Sequence, residues 1–406
     1  ALETDTGRRA VTALEIDTVL ALIARWAARA PALLAAPPPQ PSAMPGVTHR
    51  TLLGPVPLVG VISPWNFPLL LALTDAIPAL AAGAAVLVKP SEVTPRFIRP
   101  LMAALADVPD IPLALVEGDG ATGAALVPLV DFLAFTGSVA TGRKVAAAAA
   151  DAFVPASLEL GGKDPLVVLA SADPERAAAI ALSAACRATG QACQSIERIY
   201  VAEAIAPAFL SALVREAQAV EINWPEIGRG DLGPFIFGKQ ARIVEAQIAD
   251  AQARGARLLA GGRIEDHGGL WLRPTVLADV THDMAVMREE TFGPVLPVKT
   301  FRTAAEAIAL ANWGDFGLSA AVVAGTLAEA EEFAGAIEAG AISLNDGALT
   351  ALLSDAPKTS FRDSGLGPSR AGDEGLTRFL RRRVLYAQSG RPLPLAAFSE
   401  TVARPG

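Results

Sequence analysis

Short apolar runs alternate with longer helix-forming segments along most of this chain, and this alternation restricts its possible folds more than any other feature. Val59–Ile62 is followed by the Ala-rich segment Leu70–Ala82 and then by Ala85–Val88. Further along, the apolar run Pro165–Leu169 precedes a predicted helix over Glu175–Thr189. Strand, helix and strand at this spacing are typical of βαβ units and of parallel sheets. We therefore predict an α/β fold with a doubly wound parallel sheet.

Length and charge narrow the class of protein. At 406 residues the chain is too long for one simple core, and its 52% hydrophobic and 19% charged content is typical of a globular enzyme. The net charge of −8 argues against a nucleic-acid-binding protein, whose surface should be basic. The basic run 381–383 is the exception, and we interpret it as a solvated or subunit-contact segment rather than a phosphate site.

Cysteine usage points to a reducing compartment. The chain has two cysteines, Cys186 and Cys193, so no disulfide framework is expected. The opening residues lack the apolar core of a secretory leader, and we expect a cytoplasmic protein. A cysteine with a chemical role should then act as its thiolate. We interpret Cys186, on a predicted helix, as a buried structural thiol.

Neither a membrane span nor a metal site is expected. The longest apolar region, Leu58–Val88, contains three prolines and Asp75, whereas a span needs roughly 20 uninterrupted apolar residues. We interpret it as buried interior. The chain has three histidines, and none of them is spaced as a metal ligand with another histidine or with a cysteine.

Four short motifs carry the candidate chemistry. PWNFP at 64–68 holds an Asn between prolines, where its amide can be directed at an oxygen. ELGGK at 159–163 places a carboxylate beside two flexible glycines, and ExFGP at 290–294 adds a third turn. GQAC at 190–193 contains Cys193, although a lone Cys among small residues is more often inert core. The combination of the motifs is what points to an active site.

Together the motifs resemble the aldehyde dehydrogenase superfamily. The family order is reproduced by PWNFP (64–68), KPSE (89–92), GS (137–138), ELGGK (159–163), GQxC (190–193), ExFGP (290–294) and SGxG (364–367). The spacing also fits, with 34 residues from Glu159 to Cys193 and 97 from Cys193 to Glu290. The match extends from Gly60 to Gly367.

The resemblance implies a mechanism. The Cys193 thiolate would attack the aldehyde carbon to form a thiohemiacetal. The Asn66 amide and the Cys193 backbone N–H would stabilise the oxyanion. After hydride transfer a thioester would remain, and Glu159 would be the base that activates water to hydrolyse it. Outside this context Glu159 would be interpreted as a surface or helix-capping carboxylate.

The resemblance also implies NAD as cofactor, with NADP possible. Lys89, which we also place with the catalytic residues, and Glu92 would hold the adenosine ribose. Gly137 and Ser138 would place the pyrophosphate at a helix N-terminus. Glu92 would repel a 2′-phosphate, which favours NAD. The predicted cofactor residues are Ile62, Ser63, Pro64, Trp65, Lys89, Ser91, Glu92, Gly120, Gly137, Ser138, Leu160, Gly161, Glu290 and Phe292. Several have plainer interpretations, Lys89 as a solvated charge and Trp65 and Phe292 as core.

The chain departs from the family pattern at three places. Only 63 residues precede PWNFP and the chain opens with Ala, which leaves the completeness of the cofactor domain open. Lys358 stands where an aromatic residue usually closes the substrate pocket, and Thr74 stands where many members have a bulkier residue. These two changes predict a wider or more polar tunnel that admits bulky aldehydes.

We predict three structural parts. A cofactor domain would comprise residues 1–46 and 58–161, and an α/β catalytic domain residues 162–370. A small β oligomerisation arm would comprise residues 47–57 and 377–390 and would pair subunits into a homodimer or homotetramer. The predicted partner is a small-molecule aldehyde. Two alternatives stay open: a semialdehyde dehydrogenase that passes its thioester to coenzyme A, and a non-catalytic structural or binding protein with the same fold.

Overall fold

The computed structural model describes residues 1–108 and 110–400 as parallel sheets covered by helices, with smaller antiparallel sheets. Its strands are β1 (Gln40–Pro41), β2 (Val47–Pro55), β3 (Leu58–Ile62), β4 (Ala85–Lys89), β5 (Leu113–Leu115), β6 (Phe132–Thr136), β7 (Ala156–Glu159), β8 (Asp164–Val168), β9 (Ile196–Ala202), β10 (Arg257–Ala260), β11 (Ile264–Asp266), β12 (Leu270–Leu272), β13 (Thr275–Ala278), β14 (Val295–Phe301), β15 (Phe316–Gly317), β16 (Ser319–Val323), β17 (Ala341–Leu344), β18 (Phe361–Arg362), β19 (Gly365–Leu366) and β20 (Leu380–Gln388). Its helices are α1 (Leu2–Thr6), α2 (Arg9–Leu34), α3 (Pro68–Ala82), α4 (Ile98–Leu105), α5 (Gly120–Leu126), α6 (Val139–Asp151), α7 (Pro174–Cys186), α8 (Ala206–Ala219), α9 (Gly238–Ala253), α10 (Ala285–Arg288), α11 (Ala304–Ala311), α12 (Leu327–Ala334), α13 (Leu349–Leu352) and α14 (Glu374–Thr377).

The first large sheet has the strand order β19-β7-β6-β3-β4-β5. Its strands run parallel except β19, which pairs antiparallel with β7. The chain proceeds from β3 to β4 on one side and later returns to β6 on the other, so the strand order reverses at β3. In a doubly wound sheet such a reversal opens a crevice at the carboxyl ends of the strands, where ligands bind.

The second large sheet has the order β10-β13-β14-β9-β8-β16-β17 and is parallel except for β10. Its central strands are buried along their whole length, as expected for a sheet covered by helices on both faces. The predicted α/β fold with doubly wound parallel sheets is thereby confirmed. Strands β10 to β13, β16 and β17 are not among the strands predicted from the sequence.

A small antiparallel sheet joins distant parts of the chain. Strand β2 pairs with β20 from Val47 opposite Gln388 to Pro55 opposite Leu380, and β1 pairs with β2. Eight of the nine residues of β20 are exposed. Pairing of subunits through this sheet stays a prediction, as do the predicted domain bounds. The short strands β1 and β19 both pair across those bounds.

The apolar stretch Leu58–Val88 is interior, with β3, α3 and β4 contributing to one core cluster. Ala72, Ala76 and Ala79 of α3 have no exposed surface. No helix among residues 1–108 and 110–400 combines the length and apolarity needed to cross a membrane.

The predicted helix over Glu175–Thr189 is too long at its C-terminal end. Helix α7 ends at Cys186, and Ala188 and Thr189 take left-handed backbone angles with φ of 50° and 63°. Tertiary contacts hold this conformation, since the buried Thr189 hydroxyl donates to the Gly233 carbonyl at 3.0 Å. A Cβ added at Gly190 would lie 2.4 Å from the backbone of Gly293, so only glycine fits there. The left-handed turn redirects the chain toward the end of the sheet.

Candidate active site

A cavity of about 120 Å³ lies where the two large sheets meet. It brings together ten of the predicted site residues: Pro64, Trp65, Asn66, Gly137, Ser138, Leu160, Gly161, Cys193, Glu290 and Phe292. Leu71, Thr136 and Gln240 also line the cavity, and they are not among the site residues predicted from the sequence. Residues from five separate motifs therefore surround one space.

Cys193 follows the left-handed turn and is partly exposed to the cavity. A Cβ at Gly162 would lie 2.7 Å from the Cys193 carbonyl oxygen, so the absence of a side chain at Gly162 is what lets the two loops approach. Burial, followed by the negative charges of Glu159 and Glu290, raises the pKa of the Cys193 thiol to about 12. The thiol therefore keeps its proton at neutral pH, and reaction as a thiolate requires a base.

Asn66 lies in the loop between β3 and α3, and its side chain is buried. Its Nδ2 donates to the backbone oxygen of Gln191 at 2.9 Å. Gln191 is two residues before Cys193 and is itself held by two hydrogen bonds, to the Pro234 carbonyl and from the Ile236 N–H. The loop of Asn66 and the loop of Cys193 are therefore joined directly.

Glu159 is the last residue of β7 and pairs in register with Gly365 of β19. Its Oε2 accepts a hydrogen bond from the Ser360 hydroxyl at 3.2 Å. Glu159 does not line the 120 Å³ cavity, yet its charge acts on the Cys193 thiol. A carboxylate is thus placed close to the nucleophile without an ion-pair partner within 4 Å among the described residues.

The turn at 290–292 is anchored by a buried ion pair. The Lys163 ammonium lies 2.8 Å from a carboxylate oxygen of Glu197, and the Glu197 carboxylate accepts the backbone N–H groups of Thr291 and Phe292 at 2.8 and 2.7 Å. Burial, followed by repulsion from Glu197, raises the pKa of Glu290 to about 8. The anchoring holds Glu290 at the cavity wall.

The aromatic rings of Trp65 and Phe292 meet edge to face with centroids 5.5 Å apart. Trp65 also packs against Phe237, so the pair forms one wall of the cavity. Both residues are at the cavity surface and are not interior core. Phe292 has a left-handed φ of 55°, which the backbone hydrogen bond to Glu197 holds in place.

The remaining predicted cofactor residues lie outside the cavity, at the adjoining strand ends. Ile62 and Lys89 are in register at the ends of β3 and β4. The Lys89 ammonium, which is buried, contacts the half-exposed Glu92 carboxylate at 2.9 Å. Ser91 accepts the Val93 N–H through its hydroxyl.

Ser63, Gly137, Ser138 and Gly120 stand at strand ends or helix starts of the same sheet. The Ser63 hydroxyl is buried and has no hydrogen-bond partner among the described residues. Ser138 is the N-cap of α6, and its hydroxyl accepts the Thr141 N–H. Gly120 is the first residue of α5, which is capped by Asp119. An unpartnered hydroxyl beside a helix N-terminus and a Lys–Glu pair fits the polar groups of a dinucleotide.

The charges of two cations bear on Cys193: Lys358, which the sequence placed at the substrate pocket, and Arg370, which the sequence did not identify. Lys358 Nζ donates to the Gln194 side-chain oxygen at 3.1 Å and to the Thr350 carbonyl at 3.0 Å. Burial lowers the pKa of Lys358, while the charges of Glu159 and Cys193 oppose that shift. Lys358 does not line the 120 Å³ cavity, nor does the half-buried Thr74 of α3.

The second cation is Arg370, which contacts Asp75 of α3 at 2.9 Å and also donates to Thr136 at the cavity wall. Its Nε is buried without a partner among the described residues. Arg370 and Asp75 are 295 residues apart in the chain, so no local pattern could have identified the pair. The positive charge of Arg370 acts to lower the pKa of Cys193, against burial and the carboxylates that raise it.

Comparisons with known proteins show what the chain as a whole is similar to. Residues 1–385 match the family model described as "Aldehyde dehydrogenase family". The chain is 42% identical over 371 residues to a 4,4′-diapolycopene aldehyde oxidase of Methylomonas sp, covering 90% of this chain and 69% of that protein. The structure of PutA from Anabaena variabilis superposes with a TM-score of 0.95 at 50% identity, covering 97% of this chain and 84% of that one. A betaine aldehyde dehydrogenase from Staphylococcus aureus in complex with NAD+ superposes with a TM-score of 0.88 at 29% identity, covering 97% and 79%.

Proposed function

This chain belongs to the aldehyde dehydrogenase family, and from that premise we propose that it oxidises an aldehyde to the acid through a thioester on Cys193. The observation that carries the proposal is the convergence of Cys193, Asn66 and Glu290 on one cavity, with the Glu159 carboxylate acting on the thiol. A bound NAD or NADP would supply the hydride acceptor, as the family implies.

In the first step the Cys193 sulfur bonds to the aldehyde carbon and the carbonyl electrons move to oxygen. The thiol proton has to leave, because the raised pKa keeps Cys193 neutral. Glu159 is the acceptor we assign, since no other carboxylate has a larger effect on that pKa. The Asn66 amide and the Cys193 N–H would hydrogen-bond the oxyanion, and one such donor is worth about 10²–10³ in rate.

In the second step the thiohemiacetal carbon loses a hydride, which the nicotinamide ring accepts when the cofactor is bound. Before the next step Glu159 releases the thiol proton to solvent. Water then attacks the thioester on Cys193, Glu159 takes the water proton, and that proton passes to the sulfur as the C–S bond breaks and the acid is released. The Ser360 hydroxyl, 3.2 Å from Glu159 Oε2, orients the carboxylate for both proton transfers.

The cofactor residues we assign are those at the carboxyl ends of β3, β4 and β6. Lys89 and Glu92 would hold the adenosine ribose, and Ser138 at the N-terminus of α6 would hold the pyrophosphate. Glu290 would bind the nicotinamide ribose. Partial burial acts to raise the pKa of Glu92, but the hydrogen bond from Lys89 acts in the opposite direction, and the pKa is lowered. The Glu92 carboxylate is therefore charged and disfavours a 2′-phosphate. We therefore assign NAD as the preferred cofactor.

The substrate we assign is a bulky, largely apolar aldehyde. Lys358 replaces the usual aromatic residue, and its ammonium is bound to Thr350 of the short helix α13. Leu349, Leu352 and Leu353 on and beside that helix are exposed, and we take them as the rim of the substrate tunnel. The name of the relative from Methylomonas, an oxidase of a 4,4′-diapolycopene aldehyde, is in accord with an apolar substrate.

The test is to follow NADH formation with a panel of short aliphatic, long aliphatic and aromatic aldehydes, with product analysis. We expect free acid as product, no stimulation by coenzyme A, and a higher kcat/KM for the bulky aldehydes. Formation of an acyl-coenzyme A product instead of the acid would contradict hydrolysis. Reaction with acetaldehyde-sized substrates alone would contradict the substrate class, and no reaction with any aldehyde would contradict the function.

A further inference from the structure

The N-terminal helices of the chain contact both loops that carry the oxyanion donors. Arg8 lies between α1 and α2, and its side chain is buried although it is charged. One terminal nitrogen donates to the Asn66 carbonyl at 2.7 Å, and the other donates to the Ala188 carbonyl at 2.9 Å. A single guanidinium therefore bridges the loop of Asn66 and the turn that precedes Cys193.

The buried Arg8 side chain fits because the neighbouring residue 233 is a glycine. A Cβ added at Gly233 would lie 2.7 Å from the Arg8 side chain, so glycine there is what admits it. The Gly233 carbonyl in turn accepts the Thr189 hydroxyl at 3.0 Å. The Arg8 guanidinium also lies 5.6 Å from the centre of the Phe67 ring, over its face. Arg8 is thus enclosed by the same segments that shape the turn before Cys193.

The neighbouring Glu15 fixes the other end of the Asn66 loop. Its Oε2 accepts the backbone N–H groups of Leu69 and Leu70, both at 3.1 Å, in the first turn of α3. Burial lowers the pKa of Arg8 to about 10, and the charge of Glu15 opposes that shift. Arg8 therefore stays charged near neutral pH, and a charged donor makes stronger hydrogen bonds than a neutral one.

The turn at Ala188 and Thr189, which Arg8 contacts, has a backbone conformation that other segments of the chain must stabilise. Ala188 and Thr189 have positive φ angles, which residues other than glycine rarely adopt. Ala188 carries the carbonyl that Arg8 binds, and Asn66 Nδ2 bonds to Gln191 three residues further on. The Arg8 contacts and the Asn66–Gln191 contact are therefore two links between the same two loops.

We infer that Arg8 is a positioning residue for the reaction, which sets the distance between the Asn66 amide and the Cys193 N–H. The inference rests on the proposed function, because that function assigns both groups to the oxyanion. Oxyanion donors act only when they are held at the correct position before the reaction begins. Removal of the bridge should therefore slow formation of the thiohemiacetal and thioester more than it affects cofactor binding.

The experiment measures the rate of the first NADH formed after rapid mixing with saturating aldehyde, in the full chain. Arg8→Met should lower this rate by about 10- to 100-fold while the KM for NAD changes less than about twofold, since one displaced oxyanion donor costs at most about 10²–10³. The matched control is Arg9→Met, because Arg9 is adjacent, exposed and paired with Glu3 on the surface. Arg9→Met should retain the first-turnover rate.

Rescue separates positioning from general structure. Arg8→Lys restores a cation but not the forked donor, and it should recover part of the rate. In Arg8→Ala, methylguanidinium should raise the rate saturably, and methylammonium at equal ionic strength should not. A wild-type first-turnover rate in folded Arg8→Met would overturn the inference. So would failure of Arg8→Met and Arg8→Lys to fold, because Arg8 would then be a folding residue.

The proposed function is tested separately from the positioning role. The unmodified chain is assayed first, and absence of NADH formation there would count against the function itself. A normal rate in the unmodified chain and in Arg9→Met, together with a normal rate in Arg8→Met, would leave the function intact and overturn only the role of Arg8.

Discussion

The two sides of Cys193 differ in how their side chains are assembled. Where we propose that the adenosine ribose and the pyrophosphate bind, the contacts are local: Lys89 pairs with Glu92 three residues away, and Ser138 caps the helix that follows it. On the substrate side, they join distant segments, since Lys358 reaches Gln194 across 164 residues and Ser360 reaches Glu159 across 201. Local motifs fit a constant ligand such as a dinucleotide. Long-range contacts can differ between enzymes that act on different substrates, while the local motifs that bind the cofactor stay the same.

The largest expected effect concerns the residue where the two sides meet. Cys193→Ala should lower kcat to below about a thousandth of the wild-type value, because no other thiol lines the cavity among the described residues. Cys186→Ala is the matched control, since Cys186 ends α7 in the core. It should keep most of the activity. Steady-state NADH formation measures both variants, and the reverse pattern would show that Cys193 was wrongly assigned.

A smaller effect is expected on the cofactor side. Glu92→Ser removes the carboxylate that we propose disfavours a 2′-phosphate, and the NAD over NADP ratio of kcat/KM should fall about tenfold, equivalent to about 1.4 kcal/mol. The measurement is kcat/KM with both cofactors for the wild type and the variant. As control, Glu175→Ser changes an exposed carboxylate paired with Arg215 and should leave the ratio unchanged. An NADP preference in the wild type would contradict the assignment.

The smallest effect is expected on the substrate side, at Lys358. Lys358→Met removes a positive charge close to the thiol, so the pKa of Cys193, already about 12, should rise further. Less thiolate is then present at pH 8, and alkylation by iodoacetamide should slow by about three- to tenfold, which corresponds to a rise in the pKa of Cys193 of at most about one unit. Alkylation rate against pH is the measurement. Lys358→Arg keeps the charge and should stay near wild type, whereas equal slowing in both variants would point to shape and not charge.

These differences explain what the sequence could predict. The alternation of strands and helices identified the α/β fold, because parallel strands and their helices fold from adjacent segments. The motifs identified Cys193, Asn66 and Glu290, which the structure places in one cavity. The contacts of Arg8 could not be predicted from the sequence, because its partners Asn66 and Ala188 lie 58 and 180 residues away. The helix over Glu175–Thr189 was predicted too long because tertiary contacts at Thr189 override its local helix propensity.

The role of Glu159 distinguishes hydrolysis of the thioester from its mere formation. Replacing Glu159 with Gln keeps the shape of the side chain and removes its basicity. The substitution also removes a negative charge that raises the pKa of Cys193, so electrostatics alone should favour the thiolate. Because we assign the thiol proton to Glu159, thioester formation should nevertheless be slower in the variant than in the wild type, and an unchanged rate would show that another group takes that proton.

The most direct test of the account is to mix Glu159→Gln with NAD and excess aldehyde, and to follow NADH and the intact protein mass together. We predict a burst near one NADH per active site that is slower than the wild-type first turnover and is followed by a still slower steady rate, because the thioester forms faster than it breaks down. The protein mass should rise by that of the aldehyde less two hydrogens, and the adduct should be absent when Cys193 is also replaced by Ala. Steady turnover at the wild-type rate without an adduct would contradict the account, since another group would then be the base.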